Sequence, residues 1–166
     1  MMTPELRKMM EFAGEQVVKL FQREGQLLPM YHMVRRNGDT MVMPAPPGDK
    51  DTSVALVRAY MELSDVVRYV FMNECWTLDT SERLVSSTEL KRIRREGVSQ
   101  HPDRREAIMI MGEDQTGLYT ARRYILRPEF GKPKLAPFEF DEVHEGGTWE
   151  GRMIGLLPRP KTTRLS

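Results

Sequence analysis

Val66-Val67-Arg68-Tyr69-Val70-Phe71-Met72-Asn73-Glu74-Cys75-Trp76-Thr77-Leu78 reads as a β-strand, and its alternation decides what kind of domain surrounds it. Successive side chains of a strand point to opposite sides, which sets Val70, Met72, Glu74, Trp76 and Leu78 against Tyr69, Phe71, Asn73, Cys75 and Thr77. Both groups are largely apolar up to Met72, the pattern of a central strand. From Asn73 onward both turn partly polar, so the strand is expected to leave the core there. Glu74 stands between Met72 and Trp76 on one side. An unpaired buried carboxylate costs several kcal/mol, so Glu74 must be paired, protonated, metal-bound or wet, and an arginine partner is the expected answer.

Upstream, Thr3 is placed to cap a helix with Pro4 at its first position. Leu6, Met9, Met10, Ala13, Val17, Leu20 and Phe21 then recur at helical spacing up to Gly25. Leu28 to Arg36 and Thr40 to Met43 read as two strands joined by Asn37-Gly38, whose tolerance of positive φ suits a tight hairpin. The stretch from Pro44 to Lys50 excludes helix and central strand. Asp51, Thr52 or Ser53 then caps a second helix running to about Ser64, with Val54, Val57, Tyr60, Met61 and Leu63 inward.

Downstream of the central strand, a short helix is predicted from Thr88 to Glu96, closed by Gly97. Glu106 to Met111 and Leu118 to Arg127 form a second hairpin, connected by Gly112 to Gly117 and ended by Pro128. The order α-β-β-α-β-β-β predicts an α+β domain over 1–128, with an antiparallel or mixed sheet of about five strands and two amphipathic helices packed on it. Beyond Pro128, glycines and prolines are interspersed with Phe138, Phe140, Trp149, Ile154 and Leu157. Residues 129–157 are expected to be an irregular apolar arm that lies on something, and 158–166 a disordered basic tail.

A chain of 166 residues is long enough to bury roughly 70% of the surface its unfolded form exposes. Its 25 basic and 24 acidic residues leave a formal charge of +1, which by itself points to neither nucleic acid nor membrane. Cys75 is the single cysteine, which excludes an intrachain disulfide and a cysteine-rich metal knuckle and suits a reducing cytoplasm. Met1 to Lys8 lacks the apolar region of a signal peptide, and the longest apolar run, Ala107 to Met111, is too short to span a membrane.

The order of elements resembles that of roadblock and other profilin-like domains, a likeness of topology that implies dimerisation or ligand sensing. Val67-Arg68-Tyr69-Val70-Phe71-Met72 with Glu74 and Trp76, His101-Pro102-Asp103-Arg104-Arg105-Glu106, and Tyr124-Ile125-Leu126-Arg127-Pro128 are similar to segments of uncharacterised bacterial proteins. That likeness covers about residues 5 to 135 and implies no particular function.

Three constellations carry chemistry. Glu74, His101 and Asp103 are the candidate catalytic residues of a metal-assisted hydrolase, in which a metal activates water and Glu74 acts as ligand or base. Each has a structural alternative: Glu74 paired at a strand end, and His101-Pro102-Asp103 as a turn. His32, His101 and His144 are each alone, so no zincin, EF-hand or zinc-finger spacing exists. Lys91, Arg92, Arg95, Arg104 and Arg105, with Arg94, form a basic cluster that could bind nucleic acid, although no aromatics are interleaved with it in sequence and a solvated helix face explains four of its charges. Pro47-Gly48-Asp49-Lys50-Asp51 precedes a helix but sets two aspartates against any phosphate. Gly-x-Ser-x-Gly, Walker and dinucleotide fingerprints are absent. The leading expectation is a small cytoplasmic binding or regulatory module rather than an enzyme. It self-associates as a homodimer or meets a protein partner through residues 129–157, and its cofactor and any metal are unknown.

Overall fold

The computed structural model describes residues 1–78, 86–141 and 155–157. In chain order the elements are α1 (Pro4–Glu24), β1 (Met30–Arg35), β2 (Thr40–Pro44), α2 (Lys50–Leu63), β3 (Val66–Thr77), α3 (Ser87–Glu96), a 3-10 turn (Val98–Gln100), β4 (Arg105–Asp114), β5 (Gly117–Leu126), β6 (Lys134–Leu135) and β7 (Glu139–Phe140). The strands form a single sheet in the order β2-β1-β3-β4-β5-β6, with β7 also on β5, and every pairing is antiparallel. The class is α+β.

β3 is central as its composition requires, hydrogen-bonded to β1 on one side and β4 on the other. Its alternation separates two cores. Val70 and Met72 pack with Leu6, Met10, Ala13, Val17 and Phe21 of α1, while Tyr69 and Phe71 pack with Val57 and Met61 of α2. The two helices therefore lie on opposite faces of the sheet. α1 begins as predicted: Thr3 accepts the Leu6 N–H at 3.3 Å, Pro4 opens the helix, and Gly25 ends it at φ 70°. The β1–β2 hairpin turns through Asn37 and Gly38, the latter at φ 92°.

Four expectations are corrected. The α2 cap is Asp49, whose carboxylate accepts the Thr52 N–H at 2.9 Å, two residues before the earliest candidate; Asp51 instead lies in the first turn, where it complements the macrodipole. Leu63 is not inward but 86% exposed, because six residues past Val57 lies about 120° around the helix from it. Gly112 to Asp114 belong to β4 rather than to a turn. At Gly112 α1 passes so close that a Cβ would meet the Met10 sulfur at 2.7 Å, so this glycine serves close packing.

The fourth correction concerns counts. The short helix expected at Thr88–Glu96 is present as α3, a third helix beside the two packed on the sheet, and buries no residue; the sheet has more than five strands because β6 and β7 lie inside the stretch expected to be irregular. Pro137, which has no N–H to donate, falls in the break between them. Leu135, Phe138 and Phe140 pack on the α1-side core, and Leu156 is buried on the α2 side. Leu135, Phe138, Phe140 and Leu156 of the arm thus lie on the sheet of their own chain. Trp149, Ile154, His144 and the tail 158–166 fall outside the described residues. Among the described residues, no helix is long and apolar enough to cross a membrane.

Candidate anion-binding cleft

Glu74 points to the α1 side of β3, and the Leu27 N–H donates to its Oε1 at 2.7 Å. The expected arginine is replaced by a backbone amide just past the end of α1, so Glu74 ties the α1–β1 connection to the sheet. Arg127 still feels its charge: that guanidinium is held above its ordinary pKa by its hydrogen bond to Glu106 first, and also by the Glu106 and Glu74 charges. Beside Glu74, Cys75 faces the α2 side, and burial pushes its thiol up to about 11, so it is neutral at physiological pH.

His101 is engaged elsewhere. Its Nδ1 accepts the Asp103 N–H at 3.0 Å, which leaves the proton on Nε2 to be donated to Glu89 of α3 at 2.8 Å. Both ring nitrogens are occupied, in the turn geometry that His-Pro-Asp favours. No three His, Cys, Asp or Glu side chains among the described residues converge to hold a metal, and Glu74, His101 and Asp103 are not brought together as such a trio. Glu113, read from sequence as a turn residue, instead accepts the Tyr69 hydroxyl at 2.6 Å and the Leu156 N–H at 3.0 Å. It anchors the returning chain.

The basic cluster divides in two. On α3, Arg92 and Arg95 both bond Glu96, at 2.9 and 3.2 Å, and these hydrogen bonds hold the Glu96 carboxyl below its ordinary range; Lys91 is exposed on the same helix. Arg104 and Arg105 belong to the end of the sheet. The Arg104 guanidinium lies 4.8 Å from the centroid of Trp76, which is 42% exposed, and that of Arg105 lies 3.5 Å over Tyr124. Aromatic rings missing from the linear neighbourhood of these bases are therefore supplied across strands.

Here the chain builds a cleft. β5 ends at Leu126 as Pro128 approaches; the backbone turns at Gly131, with φ 100°, and returns as β6. The loop stands over an open cleft of about 640 Å³ lined by Arg105, Glu106, Arg127 and Lys134 around the loop residues Phe130 and Lys132. Ile125 and Leu126 supply its apolar wall. Glu106 and Arg127 form a two-pronged ion pair, one prong being Nη2 to Oε1 at 3.2 Å. Lys132 and Lys134 are exposed and, among the described residues, have no ion-pair partner. The lining carries four cations against one carboxylate. Its charged groups are guanidinium, ammonium and one carboxylate.

Of this cleft, only Arg105 stood among the candidate site residues singled out in sequence; residues 129–134 were expected only to be part of an apolar arm. The usable signal was Arg127-Pro-Glu-Phe-Gly-Lys-Pro-Lys134, three cations around an aromatic residue and a turn glycine. No protein-family model, curated protein or solved structure matches the chain.

Proposed function

We propose that this chain is a small cytoplasmic binding module that takes an anionic ligand in the cleft between the end of β5 and β6. The observation that supports the reading is the convergence of Arg105, Lys132 and Lys134, none of them in an ion pair among the described residues, on an open concave surface. Cations gathered at a cleft raise the local concentration of an oppositely charged ligand, whereas the same charges scattered over a surface would not. Phe130 adds apolar area at the same place. It is 86% exposed, so it contributes little to the fold.

Thermal melting with inorganic polyphosphate, against potassium chloride of equal ionic strength, tests the reading. A ligand present at about a hundred times its dissociation constant contributes about 2.7 kcal/mol, a rise of roughly 5–10 °C for a domain of this size. The double variant Lys132→Glu/Lys134→Glu should melt like the parent alone and lose the shift. An equal shift in both proteins would place the anion elsewhere.

A further inference from the structure

Resting on that anionic cleft, we infer that its ligand is single-stranded nucleic acid, with phosphates on the cations and bases stacked on Phe130 and Trp76. The two rings are presented at one end of the sheet. Trp76 is opposite Glu106 in the β3–β4 register, and Glu106 in turn lines the cleft beneath the loop that carries Phe130. Trp76, with Arg104 against it, is thus the register neighbour of Glu106, and the Glu106–Arg127 pair borders the cleft that holds Phe130 and Lys132.

Charge and aromatic area together select the class. A free phosphate needs cations or amides closing on one point, whereas these cations are spread along an open cleft. An acidic peptide would use the cations but has no need of exposed ring faces. Duplex DNA keeps its base faces stacked away from protein rings, and its grooves are read by a helix or a strand ribbon rather than by a loop of this kind. A single strand uses both features, since its bases stack on aromatic side chains whatever their identity and its backbone follows the positive charge. The Glu106 carboxylate holds Arg127 by two prongs, leaving Arg104, Arg105, Lys132 and Lys134 for phosphate.

Fluorescence anisotropy of the full chain with a labelled oligothymidylate of about 15 nucleotides tests this, beside a duplex of equal length, inorganic polyphosphate and anionic phospholipid vesicles. Binding is expected to favour the single strand. Its log affinity should fall with log salt, and Lys132→Ala or Lys134→Ala should each flatten the slope by about 0.7. Phe130→Ala, at a position too exposed to unfold the chain, should weaken binding roughly tenfold or more without changing that slope. In a Trp149→Phe background Trp76 is the one tryptophan left, and its emission should be quenched on titration with the oligonucleotide.

If polyphosphate binds as well as the oligonucleotide and Phe130→Ala changes neither, the nucleic-acid inference fails while the anionic cleft stands. Preference for the duplex or for the vesicles also overturns it. Absence of binding to every probe overturns both readings.

Discussion

Glu74 is a structural acceptor. Replacing it by alanine leaves the Leu27 N–H without its partner, and an unmet amide of this kind costs about 1–3 kcal/mol. Glu74→Gln keeps a carbonyl oxygen in place and should recover most of that loss in a denaturant titration. His32, on the same side of β1, is a pH probe. Burial lowers its pKa below the ordinary 6.5, so the unfolded chain binds its proton first as pH falls. Its contribution to stability is present above about pH 6.5 and is lost as pH falls toward the folded value. Melting from pH 7.5 to 5.5 should therefore fall more steeply for the native chain than for His32→Gln.

At the scale of elements, the arm is keyed to α1 through a missing side chain. A Cβ on Gly14 would come within 2.5 Å of the Phe138 ring, and Arg123 clamps the two segments by donating to the Gly14 carbonyl at 2.8 Å and the Ala136 carbonyl at 3.0 Å. Alanine is better than glycine inside a helix by about 1 kcal/mol, but overpacking costs about 1–3 kcal/mol. Gly14→Ala is therefore expected to destabilise the native chain and to stabilise Phe138→Ala, a change of sign readable in a double-mutant cycle. α3 is held differently. It buries nothing, and His101 to Glu89 tethers it, so His101→Ala should speed amide exchange across residues 87–96 with little change in the global melt.

For the whole molecule, what was legible in sequence is what depends on local pattern. The α1 stripe, the Asn37-Gly38 turn and the two-sided apolar run of β3 each specify their element without reference to anything distant. β6 and β7 are two residues each, shorter than a period-two pattern can reveal, with Pro133 before β6 and Pro137 between the two. The cleft joins Arg105 to Lys132 and Lys134 through the β4–β5 hairpin and the turn at Gly131, a juxtaposition set by pairing and not by spacing. Arg104 and Trp76 meet for the same reason. Their stacking reverses the sequence argument that the basic residues lack aromatic company.

The sheet has two unlike margins. On one side, β5 is lined by stubs of two residues separated by Pro137, too short to template another chain. On the other, β2 carries no charged residue, and among the described residues nothing pairs with its outer edge; Val42 on it is 62% exposed. Two copies joined edge to edge at β2 would be related by a two-fold axis, each closing the other's open margin and leaving outside only the blunted one. Light scattering behind size exclusion is thus expected to find one or two chains and no larger ladder, with Val42→Lys shifting any pair to the single chain. Were strands of two copies to add at β2, the unequal margins would make that addition self-terminating: it would have a last step, at the second molecule.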